Sequence, residues 1–203
     1  MNATAALGRL QRLRVPAVTT ADAAAVLGLT IGAASHALSR LSAADLLTPV
    51  RRGLWALGAT PDPLALAGYV TAPYPNYLSL QTALHHHGMI EQIPASIYLV
   101  SLARGGLLRT AVGSYSIHHV QPAFFGGFEL LPGGVSMALP EKALVDFFYL
   151  SPTRSRLFAA LPELELPRGF KRGDAREWAR RIPSSRLRKI AQQRLEDAFR
   201  HLG

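Results

Sequence analysis

Residues 18–57 constrain the fold more than any other stretch of this 203-residue chain. A short helical segment is expected to start at Thr20 as its N-cap, with Asp22 in the first turn and Ala23 and Leu27 following, and Gly28 stops it. Thr30 then caps a second segment in which Ile31, Ala34, Leu38 and Leu41 recur at helical spacing, giving one apolar face. Two short helices joined by a three-residue turn containing glycine have the arrangement of a helix-turn-helix. The other face of the second helix carries Gly32, Ala33, Ser35, His36, Ser39 and Arg40. Small residues let a helix sit deep in a major groove, and Ser35, His36, Ser39 and Arg40 can donate to phosphates or base edges, with Thr30 at the helix start. The same pattern also fits a plain helical hairpin with a solvated face.

The next residues favour the first alternative. Leu46, Leu47 and Val50 lead into Arg51-Arg52-Gly53, followed by Leu54-Trp55-Ala56-Leu57, which reads as two short strands around a tight turn. A hairpin directly after a helix-turn-helix is a wing, and Arg51 and Arg52 lie at or beside its tip, where phosphate or minor-groove contact is available. Trp55 is expected to pack the wing against the helices. This predicts a winged helix-turn-helix over 1–60 that binds duplex DNA. The turn-rich run Gly58-Ala59-Thr60-Pro61-Asp62-Pro63 marks the expected domain boundary.

From residue 64 onward the pattern is mixed, so the fold class is α+β, with a mixed α/β domain over 64–203 whose end, 151–203, is an Arg-rich helical extension. Ser79 is placed to cap a helix through Leu80, Ala83 and Leu84 that ends at Gly88. Strands are expected over 97–102, 115–120, 128–131 and 135–138, and then a helix from Pro140, in which Lys142 and Asp146 form an i,i+4 pair worth about 0.3 kcal/mol on an exposed surface. In the final helix, starting near Ser184, Leu187, Ala191, Leu195, Ala198 and Leu202 share one face, with Arg186, Lys189, Gln193 and Arg200 roughly opposite.

Composition matters chiefly through the distribution of charge. The chain's net +9 divides into +4 over 1–60, −2 over 61–150 and +7 over 151–203, two basic ends around a mildly acidic middle. The basic tail fits either a solvated helix face or a second phosphate-contacting surface that includes Arg172, Arg176, Arg186 and Lys189. With no cysteine, thiolate metal sites, Fe–S clusters and cysteine nucleophiles are excluded, which fits a reducing cytoplasm. Arg9, Arg12 and Arg14 interrupt any signal-peptide pattern, and no window approaches the roughly 20 apolar residues of a membrane helix, so a cytoplasmic protein without membrane partners is expected.

The segment Tyr77-Leu78-Ser79-Leu80-Gln81-Thr82-Ala83-Leu84-His85-His86-His87-Gly88-Met89-Ile90 and the segment Leu139-Pro140-Glu141-Lys142-Ala143-Leu144-Val145-Asp146, in that order behind the winged head, resemble AbiEi-type antitoxins. These are transcriptional regulators of abortive-infection phage-defence modules. The resemblance spans roughly residues 18–150 and implies a winged domain that binds inverted repeats in its own promoter, so that the protein represses its own operon. It further implies a C-terminal domain that contributes to repression and antitoxicity, and a functionally linked nucleotidyltransferase-like toxin neutralised without a stable complex. Asp45 stands where the family commonly has a glycine leading into the wing. A generic winged-helix regulator or a protein-interaction module without antitoxin activity is the alternative.

Chemical motifs point away from catalysis, cofactors and metals. His85, His86 and His87 are consecutive on a helix and point about 100° apart, so they do not converge on one ion. His118 and His119 fall on opposite faces of a strand. Gly113-Ser114 lacks the nearby carboxylates a nucleotidyltransferase needs, the next acidic residue being Glu129, and no GxSxG, P-loop or GxGxxG is present.

Overall fold

A computed structural model describes residues 3–150 and 164–202. The described residues form a mixed α+β chain with eight helices and two sheets. Part of the expected tail, 151–163, lies outside the described residues. The chain divides into two compact units: residues up to Pro73 with Arg109–Ser114, and Tyr74–Leu108 with Tyr115 onward.

The first unit runs α1 (Ala3–Gln11), β1 (Ala17–Thr19), α2 (Thr20–Leu27), α3 (Ile31–Ala43), β2 (Leu47–Arg51), β3 (Leu54–Leu57) and α4 (Ala67–Val70). Its sheet has the order β1-β3-β2, both pairings antiparallel. The residue that caps α2 is Thr19 and not Thr20. Its hydroxyl accepts from the Asp22 amide at 3.0 Å, while the Asp22 carboxylate accepts from the Thr19 amide at 3.0 Å, a reciprocal capping box. Thr20, the first helical residue, serves the sheet instead: its amide donates to the Gly53 carbonyl and its hydroxyl accepts from the Trp55 indole at 3.0 Å. Gly28 ends α2 at φ 67°, a conformation that only glycine adopts without steric cost.

The core of this unit is built from Ala6, Leu10, Val18, Ala23, Leu27, Leu38, Leu41 and Leu47. On α3 the buried arc is Ala34, Ala37, Leu38 and Leu41, but Ile31, expected on that face, is 59% exposed. It begins the helix at the edge of the apolar arc, where the covering neighbours have run out. The unit also extends beyond the expected boundary near residue 60. Leu66, Ala67 and Val70 are buried, so the turn-rich run 58–63 is an internal loop of this unit and the chain leaves it at Pro73.

The second unit contains β4 (Asn76–Leu78), α5 (Leu80–His86), β5 (Ile97–Ser101), most of β6 (Gly106–Thr110) and of β7 (Gly113–His119), β8 (Phe128–Leu131), β9 (Val135–Ala138), α6 (Pro140–Leu150), α7 (Arg172–Arg180) and α8 (Ser185–His201). The six strands are ordered β6-β7-β5-β4-β9-β8, with β5–β7 and β4–β9 parallel and β4–β5 and β8–β9 antiparallel. Helix α6 touches α5, α7 and α8, and eight of its residues, Lys142 and Asp146 among them, are buried. A helix enclosed on nearly all sides sits at the centre of a core.

Ser79 sits at the N-cap position of α5, yet its hydroxyl makes no cap. It donates to Asp146 at 2.7 Å. In α8, Ala191, Leu195, Ala198 and Phe199 are buried, in keeping with the face read from spacing.

Candidate nucleic-acid interface

Helix α3 is held by its apolar arc and presents the opposite side outward. His36, Ser39 and Arg40 are exposed, Ser35 is half-exposed, and Gly32 and Ala33 lie beside them. Together Ala33, His36, Ser39, Arg40 and Ala43 line a broad open depression of about 530 Å³. Thr30 is committed locally, its hydroxyl accepting from the Ala33 amide at 3.3 Å. It therefore fixes the start of α3, and its remaining donor capacity is the hydroxyl hydrogen. The positive end of the helix dipole lies at this terminus, next to the small residues. A smaller cavity of about 290 Å³ lies between α1 and α3, lined by Ala3, Ala6, Leu29, Ala33, Ala37, Leu41 and Arg40.

The two hairpin arginines separate. Arg52 is exposed at the turn. Arg51 is half-buried and its Nη2 donates to the Ala72 carbonyl at 3.5 Å, while its Nε is buried with no hydrogen-bond partner among the described residues. Of the two arginines expected at or beside the tip, Arg52 is thus the exposed one and Arg51 the half-buried one. The register of β2 against β3 is irregular between Pro49 and Arg51. Arg9, Arg12 and Arg14, to which the sequence assigns no contact, are exposed on the same unit.

The tail arginines also divide. Arg176 donates to both carboxylate oxygens of Glu196 at 2.7 and 2.9 Å. Its guanidinium and that of Arg172 lie 5.3 and 5.1 Å from the Phe199 ring centre. Phe199 itself is buried. Arg172, Arg186 and Lys189 are exposed.

No protein-family model matches the chain, and no curated protein matches its sequence. Among the described residues no helix is long and apolar enough to cross a membrane. Nor do three His, Asp or Glu side chains gather there in an arrangement able to hold a metal. The three consecutive histidines go separate ways: His87 Nε2 meets the Ala138 carbonyl at 2.7 Å, His85 Nδ1 meets that of Ile90 at 3.3 Å, and His86 is exposed. Partial desolvation, aided by neighbouring His87, lowers the His86 pKa although the side chain is exposed. His118 is buried and His119 exposed.

In the second unit the i,i+4 pair Lys142–Asp146, expected to be weak, is fully buried. Lys142 Nζ contacts the Asp146 carboxylate directly and donates to the Tyr77 hydroxyl at 2.7 Å. The Tyr77 hydroxyl donates onward to Asp146 at 3.1 Å, and Ser79 completes the set. The ammonium also lies 4.0 Å from the centre of the Phe124 ring and 5.1 Å from that of Trp178. Burial lowers the Lys142 pKa and raises that of Asp146, in each case against the attraction of the partner charge. Burial and the adjacent Asp146 push the Tyr77 phenol well above its ordinary value. The spacing of the pair is visible in the sequence, but its enclosure depends on Phe124 and Trp178, which are remote along the chain.

Proposed function

We propose that the chain is a sequence-specific double-stranded-DNA-binding transcriptional repressor of the AbiEi antitoxin type, acting in the cytoplasm on inverted repeats in its own promoter. The observation that carries this reading is the geometry of α2 and α3, whose axes are bent by 102° across the Gly28–Thr30 turn. That value falls within the range of about 90–120° for helix-turn-helix pairs. The element order α1-β1-α2-α3-β2-β3 and the sheet order β1-β3-β2 support naming the unit a winged helix-turn-helix. Its recognition helix is α3, its base-reading candidates are Ser35, His36, Ser39 and Arg40, and Arg52 is the wing's phosphate contact.

Asp45 supports the family resemblance. Its φ of 56° lies in the left-handed region, so Asp45 occupies the conformation that a glycine would supply there, and asparagine and aspartate tolerate it better than other side chains. The functional partner in this reading is a nucleotidyltransferase-like toxin, with antitoxicity residing in the second unit. Arg172, Arg176, Arg186 and Lys189 are its candidates for auxiliary phosphate contacts, with Arg176 also engaged by Glu196.

The test is binding of the full chain to the duplex upstream of its own reading frame, compared with a random duplex of equal length across a salt series. The expected result is preference for the promoter fragment, with affinity falling linearly in log–log against salt. Equal affinity for both duplexes would sink specific repression. Antitoxicity is checked separately: a nucleotidyltransferase-like reading frame beside the gene, and relief of its toxicity on co-expression with this chain, are the expected results.

A further inference from the structure

Accepting α3 as the helix that enters the groove, we propose that Ile31 is a specificity-determining residue that recognises the C5-methyl group of a thymine. At 59% exposure it is the most exposed large apolar side chain described in the first unit, where Leu13, Leu46 and Leu64 reach only 37–39%. It occupies the first helical position of α3, directly after the Thr30 cap. Recognition helices place residues of this N-terminal turn against base edges. The two residues beside it are Gly32 and Ala33, both exposed, and nothing lies within 4 Å of where a Gly32 Cβ would stand. The end of α3 can therefore come close to a base pair without a bulky side chain in the way.

The chemistry selects the ligand group. Among the features that the four base pairs present in the major groove, the thymine methyl is the apolar one. A β-branched side chain in a helix is restricted at χ1, so Ile31 is already fixed in direction before contact and loses little freedom on making it. Along the helix Ser35 and Ser39 follow at one and two turns, which puts an apolar contact and then two hydroxyls in a single stripe. An α3 poor in Arg, Asn and Gln reads sequence through this kind of small-group contact. The preferred site therefore carries a thymine where the N-terminal end of α3 meets the base pairs.

The experiment selects duplexes from a random library with the full chain, then replaces each thymine of the enriched duplex singly by deoxyuridine, which removes only the methyl. Affinity is read by fluorescence anisotropy. The expected result is at least one position at which deoxyuridine weakens binding about four-fold, the worth of one buried methyl. Ile31→Ala should bind the thymine duplex correspondingly less well and lose its sensitivity at that same position, while keeping the wild-type melting temperature. If no deoxyuridine weakens binding, or if Ile31→Ala retains the wild-type pattern of sensitivities, the proposal is overturned while the DNA-binding reading stands. If no duplex is enriched at all, the reading beneath it falls as well.

Discussion

Helices α3 and α6 are of similar length and both carry charged residues among apolar ones, but they use charge in opposite ways. In α3 the polar groups His36, Ser39 and Arg40 face solvent and the helix is anchored by small and aliphatic residues alone. In α6 the charges of Lys142 and Asp146 are turned into the core, where each satisfies the other together with Tyr77 and Ser79. An exposed cation costs the fold little and remains available to a ligand. A buried one is spent on its partners, and removing either partner leaves an uncompensated charge. Charge count alone is thus a poor guide to where a protein meets an anion.

The sharpest way to break this contrast is Lys142→Ala. It leaves Asp146 buried without its cation and should destabilise the chain by about 3–5 kcal/mol. Urea unfolding of the second unit, followed by the fluorescence of Trp178 against a Trp55→Phe background, measures this. The combined change Lys142→Met, Asp146→Leu, Tyr77→Phe and Ser79→Ala should recover most of the loss, because it removes the two buried hydroxyls together with the charges they serve. A small loss for Lys142→Ala would mean that the quartet does not hold the core in the way its geometry implies.

A second, smaller effect tests how tightly the lysine is enclosed. Gly127 has φ 73°, and a Cβ there would stand 2.7 Å from Trp178 and 2.9 Å from the Lys142 side chain. Gly127→Ala should cost about 2 kcal/mol through overpacking, read in the same unfolding experiment. Gly32→Ala on α3, which meets nothing, is the matching control on the exposed helix and should leave stability unchanged or slightly raised, since alanine favours helix.

On the α3 side the contrast predicts loss of function without loss of fold. Arg40→Ala should weaken duplex binding about ten-fold, near 1.4 kcal/mol and within the range for one lost base or phosphate contact, while stability stays within about 0.5 kcal/mol of wild type. Arg52→Ala should reduce the salt slope by about 1. Arg51→Ala should leave that slope unchanged, because its guanidinium is turned toward the Ala72 carbonyl. Equal effects of the two hairpin arginines would show that Arg51 turns outward on DNA.

These residues also mark how far the sequence could be read. The helical period and the glycine stop were enough to place α2, α3 and the hairpin, since those features depend on residues within a few positions of one another. The strands over 128–131 and 135–138 were equally legible. β4 was not, being three residues long and too short to show a period. The Lys142–Asp146 spacing was plain, but whether such a pair faces water is decided by the rings of Tyr77, Phe124 and Trp178, brought in by tertiary packing. Likewise the irregular register between Pro49 and Arg51, and the reach of Arg51 to the Ala72 carbonyl, are not announced by any local pattern. Ser79 has the residue type and place of a helix cap, and only the arrival of Asp146 diverts its hydroxyl.

The smallest expected effect concerns Arg176–Glu196, an ion pair exposed at both ends and so the surface counterpart of Lys142–Asp146. The hydrogen bonds from Arg176, followed by its charge, lower the Glu196 pKa below the usual carboxylate value of 4.5. A carboxylate depressed on folding adds stability that is present above its unfolded value and is lost as pH falls through the lowered folded value. Wild type and Glu196→Gln should therefore differ in urea midpoint at neutral pH and converge as pH drops below about 4.5, with the neutral-pH difference shrinking in high salt because the pair is screened. A difference that persists unchanged through acid would assign the loss to the geometry of the hydrogen bonds that Glu196 accepts from Arg176 and not to its charge. That result would remove the surface half of the contrast, since the pair would then not act as an ion pair.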